Sequence, residues 1–396
     1  MLSRLSKVGR SVPNLVLAQR VIDKMNAAAK RYIEDETGEA MIGLLVPGKN
    51  TNGIPTLYVL DTIAPDESAV RQFATFQQGD ERQDELIWWL QENWQHQREK
   101  RRSIINSILS NKWDEPLRYL GDWHKQPGYM IQPSGGDRMT ALRWVDDDSN
   151  GMDFLLTPIV TLDHPSTTAN PDANTNFLLV PQKDGTSMRI DFWYIDDELR
   201  MFLPILPTVY PDDQLPILAQ YPWHLTDQAR FQDESARLHD DGLFATLILW
   251  NVDDDMPLEI CFLTARIGAD RVLLIATAWD YPKRAPWARV APFGSMGADD
   301  DVYEIFEELW AKSEPVADPP DWTWTPDKHL LDYIYALEKA LGIERPAPPV
   351  LVTASVSVEP DGASAEKTEN EAAKSSAIEE KGAVQDTADV TKDEVS

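Results

Sequence analysis

One cysteine, Cys261, in 396 residues leaves no partner for an intramolecular disulfide and no set of thiolates for a zinc cage. Nothing in the chain demands an oxidising compartment, and a cytoplasmic location is expected. Long apolar runs are equally scarce. Stretches such as Phe244 to Trp250 fall far short of the ~20 residues that cross a bilayer, so neither a membrane span nor a membrane partner is expected. Basic charge is in deficit: 37 Lys and Arg stand against 66 Asp and Glu, a net −29 that repels phosphate backbones and takes away the main attraction of nucleic-acid binding. The start is locally basic (Arg4, Lys7, Arg10, Arg20, Lys24, Lys30) but has no apolar centre of a secretory signal. Aromatic residues are missing from Pro346 to Ser396, where eleven acids and four lysines leave too little apolar surface to offset chain entropy. Residues 344–396 are therefore expected to be a disordered acidic tail.

The remainder is rich in core-forming residues, with 14 Trp, 11 Tyr and 11 Phe in a chain that is 42% hydrophobic. At ~150 residues per domain its length suggests two domains with extras. Pro13-Asn14 announces a helix whose Leu17, Val21, Met25, Ala28 and Tyr32 repeat at spacings of four and three. Strands follow at Ala40 to Val46 and Thr56 to Ile63, separated by the turn-rich Pro47 to Pro55. A helix around Glu81 to Gln97 carries Leu86, Trp89, Leu90 and Trp94 on one face. Next come a strand Leu117 to Trp123, a polar loop, a helix Asp137 to Trp144, and strands at Phe154 to Leu162 and Asn176 to Val180. Five prolines between Pro204 and Pro222 resist regular structure and mark a junction. Beyond it the pattern is a helix Asp227 to His239, strands Phe244 to Asn251, Leu258 to Arg266 and Val272 to Ala278, and a closing helix with Leu330, Ile334, Leu337 and Leu341 on one stripe. Both halves read as α+β. The expected organisation is a basic segment 1–12, a first domain 13–203, a Pro-rich linker 204–225, a second domain 226–343 and the tail.

Chemistry concentrates in Gly121-Asp122-Trp123-His124-Lys125-Gln126-Pro127, followed after six residues by Ser134-Gly135-Gly136-Asp137. A strand ending at His124 and a helix beginning at Asp137 would bring an imidazole and a carboxylate together beside a serine hydroxyl. Upstream, Glu36-Thr37-Gly38 sets a carboxylate just before the first domain's opening strand, where it could take a proton from an activated water. Each has a plainer reading: a core histidine, a helix-capping Asp137, a turn serine, and a Glu36 that is one solvated charge beside Glu34 and Asp35.

At these residues the chain resembles the JAB/MPN family of zinc isopeptidases, whose signature joins a Glu in an E-T-G-G-like turn to a later H-x-H-P, six residues and S-x-x-D. The opening helix and Leu60-Asp61-Thr62-Ile63-Ala64-Pro65 before Arg71-Gln72-Phe73 extend the resemblance from about Pro13 to Leu203. It implies a JAB/MPN-like (cytidine-deaminase-like) domain in which His124, Gln126 and Asp137 are the zinc positions, Glu36 is the general base and Ser134 donates to the oxyanion. Two residues depart from the pattern. Gln126 stands where the second histidine belongs and offers an amide oxygen, a weaker zinc donor than imidazole. Glu39 stands where the family usually has a small glycine, which implies either relaxed constraint or a different neighbour near Glu36.

In the second half, Tyr281-Pro282-Lys283-Arg284-Ala285-Pro286 follows a strand, and Trp324-Thr325-Pro326 precedes the closing helix. The order of helix, three strands, Y-P-x-x-x-P, W-x-P and helix resembles the ubiquitin-conjugating-enzyme fold over roughly Thr226 to Gly342. Active relatives carry a nucleophilic cysteine between the two motifs; here there is none, and Cys261 reads as a buried strand residue. Together the two resemblances imply a metallo-isopeptidase, a hydrolase that removes or processes a ubiquitin-like modifier in a prokaryotic-type conjugation system, with an activating or conjugating enzyme as partner. The alternative they leave open is a catalytically inactive scaffold that binds such a protein or enzyme.

Overall fold

The computed structural model describes residues 12–78, 81–104, 112–165, 175–252, 257–266, 268–293 and 301–343. The acidic tail and all but Val12 of the basic leading segment lie outside the described residues. The fold is α+β.

The chain enters through β1 (Asn14–Ala18) and α1 (Gln19–Arg31), then runs through β2 (Gly38–Val46), β3 (Thr56–Ile63), the small hairpin β4 (Val70–Gln72) and β5 (Thr75–Gln77), and the long α2 (Glu81–Ile104). β6 (Arg118–Lys125), α3 (Gly135–Asp146), β7 (Phe154–Leu156), β8 (Ile159–Pro165), β9 (Phe177–Pro181), β10 (Thr186–Asp191), β11 (Trp193–Asp196), β12 (Leu203–Pro204) and β13 (Pro207–Tyr210) complete the first half. Eight of these strands form one mixed sheet in the order β13-β1-β3-β2-β6-β8-β10-β9, while β12-β11-β7 make a smaller one beneath α3.

The opening differs from the sequence expectation. Residues 14–18 are a strand, and the helix starts only at Gln19. Leu15, Val16, Leu17 and Ala18 are all buried, with parallel neighbours on both sides. A short run that is apolar at every position carries no period to distinguish strand from helix. The helical stripe then holds from Val21 through Met25, with Ala29 rather than Tyr32 closing the buried face and Lys30 and Arg31 in the last turn, where cations suit the helix dipole. The proline-rich run is also more regular than expected. Residues 207–210 pair in parallel with β1 from Leu15↔Pro207 to Ala18↔Tyr210, so the first half's sheet extends past Leu203. Edge position reconciles this with proline, which lacks an N–H for a second neighbour.

β6 controls the site. Its pairing with β2 slips between Met41↔Gly121 and Ile42↔Tyr119, leaving Leu120 as the extra residue of a bulge. Gly121 adopts φ +129°, and a Cβ there would lie 2.1 Å from the Leu156 carbonyl oxygen, so only glycine fits. Beyond the bulge the register is Trp123↔Glu39 and His124↔Gly38.

The second half is the short α4 (Trp223–Thr226), α5 (Gln228–Asp240), the antiparallel meander β14 (Leu243–Trp250), β15 (Glu259–Arg266), β16 (Arg271–Thr277), β17 (Trp287–Pro292) and β18 (Glu314–Val316), with α6 (Val302–Lys312) and α7 (Leu330–Leu341). Ile260, Phe262, Leu273 and Ile275 face Leu330, Ile334 and Leu337 of α7. The alternate residues Cys261, Leu263, Val272 and Leu274 face Phe306 and Leu309 of α6. Helices on both faces explain why β15 is buried along its whole length and why its sequence does not alternate. Tyr281 and Trp324 sit with ring centroids 5.4 Å apart, and the Trp324 indole N–H donates to the Pro282 carbonyl at 2.8 Å, so the two aromatic-proline motifs form one unit. Buried Glu234 of α5 accepts from the Tyr281 hydroxyl, from Arg230 at 2.8 Å and from the Leu330 amide at 2.9 Å.

Asn93 of α2 joins the halves. Fully buried, it donates to the Trp89 carbonyl at 2.8 Å and accepts from the Leu258 amide at 2.7 Å. Among the described residues no helix is long and apolar enough to cross a membrane.

Candidate functional site

The end of β6 is pinned from both sides. His124 is opposite Gly38 of β2 and Ile159 of β8, its amide donates to the Pro158 carbonyl at 3.1 Å, and the Gln126 amide donates to Val160 at 2.9 Å. Residues two apart on an extended chain face the same side, so His124 and Gln126 present their side chains together. Asp137 reaches them from the first turn of α3. Ser134 is the N-cap of that helix: its Oγ accepts from the Asp137 amide at 3.1 Å, and Asp137 Oδ2 accepts from the Ser134 amide at 2.6 Å. The sequence reading placed the helix start and cap at Asp137. The structure assigns the cap to Ser134 and makes Asp137 the reciprocal third residue of a capping box.

The three side chains converge. Gln126 Nε2 donates to Asp137 Oδ2 at 3.2 Å and lies 3.2 Å from His124 Nε2, while His124 Nε2 and Asp137 Oδ1 are 3.6 Å apart. Burial favours the neutral imidazole of His124 and lowers its pKa, with the Asp137 charge opposing. Neutral imidazole is the form that binds metal. Gln126 is 5% exposed, and its Oε1 is buried with no hydrogen-bond partner.

Glu36 closes the group from the β2 side. Its amide donates to Gln72 of β4 at 2.8 Å, and the adjacent Thr37 carbonyl accepts from the Lys125 amide at 2.7 Å. Burial first, then the Asp137 carboxylate, push Glu36 up to about 7 against the pull of Lys125. That value suits a group that takes and returns a proton near neutrality. Lys125, which sequence reasoning passed over, holds the segment in place by donating from Nζ to the Ile33 carbonyl at 2.8 Å. Its position between two site residues was the only signal. All five expected positions, Glu36, His124, Gln126, Ser134 and Asp137, therefore lie in one neighbourhood.

Whether these residues fit a divalent cation turns on Gln126. Bonds of about 2.1 Å to a tetrahedral centre set neighbouring ligand atoms roughly 3.4 Å apart, close to the spacings above. As placed, however, the amide turns its nitrogen inward, and nitrogen of an amide is a donor only. A half-turn of the amide brings Oε1 inward and puts the NH2 group in the buried unpartnered position instead, so a cation fits on one imidazole and two oxygens at the cost of that stranded donor and of the Gln126–Asp137 hydrogen bond. Among the described residues no group of three His, Cys, Asp or Glu side chains is arranged to hold a metal, so Gln126 is indispensable to any such site.

Cys261, the one thiol, is fully buried on β15, and burial pushes its pKa well up, away from nucleophilic use. Of the adjacent Trp88 and Trp89, Trp88 is exposed and Trp89 is wholly buried.

No known family and no curated protein is matched by this chain. Among solved structures it is similar to the solution structure of protein DSY2949 from Desulfitobacterium hafniense, at 14% identity over 50% of this chain and 96% of that one, with a TM-score of 0.21. A likeness of that size carries no argument about the site.

Proposed function

We propose that the first half is a metal-dependent isopeptidase of JAB/MPN type acting on conjugates of a ubiquitin-like protein. The observation that carries this reading is the convergence of His124, Gln126 and Asp137 at 3.2–3.6 Å with Glu36 beside them. His124, Asp137 and the Gln126 amide oxygen would hold the cation. When bound, a zinc or similar divalent ion supplies a Lewis acid for the isopeptide carbonyl and lowers the pKa of water. Glu36 takes one proton from the attacking water as its oxygen bonds to the carbonyl carbon. As the C–N bond breaks, Glu36 returns that proton to the departing lysine amine. The Ser134 oxygen already accepts the Asp137 amide, which leaves its O–H proton to donate to the developing oxyanion. The second half, conjugating-enzyme-like and without a nucleophilic cysteine, serves as the module that holds modifier or partner enzyme.

The test is cleavage of a ubiquitin-like fusion by the full chain with zinc, manganese or cobalt, beside Glu36→Gln. Cleavage that the variant lowers by at least ~10²-fold supports the reading; intact substrate with every metal ends it. One observation favours a second reading, a disarmed scaffold: the inward Gln126 N–H already satisfies the Asp137 carboxylate, as a cation would. In that case Gln126→His would create metal binding and activity that the parent lacks.

A further inference from the structure

A second cavity, of about 480 Å³, opens on the α1 side of β2 between α1, the end of β3 and the start of α2. It is in the size range of small-molecule sites, and its walls include Ala28, Ile63, Ala64, Pro65 and Leu86. Its polar lining contains Glu39, the residue that replaces the expected glycine. Glu39 is 7% exposed and accepts from the Thr62 hydroxyl at 2.5 Å.

The charges of this cavity are unevenly partnered. Lys24 is bound to Asp61 at 2.6 Å and Arg31 to Glu67 at 3.3 Å. Arg71 donates to Thr37 and to the Asp66 and Pro65 carbonyls. Arg82, half-buried at the first turn of α2, makes no hydrogen bond or ion pair among the described residues, and its Nε is shut off from solvent without a partner. The Tyr221 hydroxyl, on the same lining, is likewise buried and unpartnered. An unpaired guanidinium is conspicuous in a chain of net charge −29. Leaving a buried donor unsatisfied costs about 1–3 kcal/mol. The Arg82 Nε–H can only donate, whereas the Tyr221 hydroxyl can donate or accept and stands near the Glu39 and Asp61 carboxylates, which are already engaged with Thr62 and Lys24. The missing partner of Arg82 is therefore an acceptor. Apolar walls on both sides, and one spare cation rather than several, select a singly charged carboxylate with an apolar body over a phosphate.

We propose that this cavity binds a small organic carboxylate, its anionic group paired with the Arg82 guanidinium and the Tyr221 hydroxyl and its apolar body against Ala28, Ile63 and Leu86. The planar fork of arginine matches a carboxylate with two parallel bonds. The site does not depend on the metal-site reading, because it uses none of those side chains.

Calorimetric titration of the full chain tests it, with isovalerate and phenylacetate as probes and isovaleramide and inorganic phosphate as controls. Saturable binding of a carboxylate, at least tenfold weaker for its amide and for phosphate, is expected. Arg82→Gln and Tyr221→Phe should each weaken it about tenfold, the worth of one charge-assisted hydrogen bond. Glu39→Gln removes a like charge and should leave affinity equal or higher. Thermal unfolding separates a ligand site from a structural role: Tyr221→Phe deletes an unpartnered hydroxyl and should leave the ligand-free midpoint unchanged or raised. No carboxylate binding, equal binding of amide or phosphate, loss of binding in Glu39→Gln, or a lowered midpoint in ligand-free Tyr221→Phe would each overturn the proposal.

Discussion

At the scale of single residues, Gln126 decides what the site can do. Its amide has two ends of opposite character: oxygen inward completes a cation site, and nitrogen inward closes the site by hydrogen bonds alone. Gln126→His removes the ambiguity by supplying imidazole, a stronger zinc donor, and is expected to tighten zinc binding by at least ~10-fold in a competition assay with a metal indicator. Unchanged affinity would show that the position is not a ligand. Another residue contributes to acid stability. His224, against the Trp89, Trp223 and Phe231 rings, has its pKa lowered to about 4 by burial, and its Nδ1 is unpartnered. The folded state thus binds this proton less readily than the unfolded state, whose value is about 6.5. Stability from the neutral ring is complete above about 6.5 and lost as pH falls toward 4, by about 3 kcal/mol. Glu36 and Asp122, raised to about 7 and about 6, act in the opposite sense over the same range, so the check is the difference between curves: His224→Phe should gain unfolding free energy relative to the parent as pH falls from 6.5 to 4, and parallel curves would contradict it.

At the scale of elements, the bulge in β6 turns a sequence spacing into a site. The interval from His124 to Asp137 is legible in the sequence, but the register that sets His124 against Gly38 depends on Gly121 at φ +129°, and a lone glycine in a strand does not announce which residue it re-aims. Gly121→Ala would drive a Cβ against the Leu156 carbonyl and is expected to cost more than about 3 kcal/mol or prevent folding. The proline-rich run offers the opposite lesson. Prolines hid β13 because an edge strand in a parallel pair tolerates them, and nothing local records a partner nearly two hundred residues away. Ile205, fully buried inside that run, distinguishes an integrated segment from a loose linker. Ile205→Ala should cost about 2–5 kcal/mol in chemical denaturation, where a linker position would cost nothing measurable. Elements with a clear period, α5, α7 and the meander strands β14, β15 and β16, lay within a residue or two of their sequence positions. α6, β17 and β18 went unread because their neighbours carry prolines, glycines and acids that mask a short periodic segment.

At the scale of the whole molecule, the two halves are joined through a buried hydrogen-bonding side chain and a shared core. Leu258, at the entry to β15, belongs to the first half's core and donates its amide to Asn93. Unfolding of the described halves should therefore be one transition by both tryptophan fluorescence and far-ultraviolet circular dichroism, and Asn93→Ala should lower stability by about 1–3 kcal/mol by stranding a buried amide. Two resolved transitions would mean the halves fold independently. The α+β class followed from pattern, and the set of five positions that the structure brings together came from spacing together with the family resemblance. The pocket around Arg82 and Tyr221 did not, because its residues come from segments with no common motif. The central claim is that His124, Gln126 and Asp137 together grip a divalent cation. Metal content of full-length protein purified without chelator and dialysed against zinc tests it most directly: the account expects close to one equivalent bound, lost in Asp137→Asn, whereas a metal-free parent in excess zinc would contradict it.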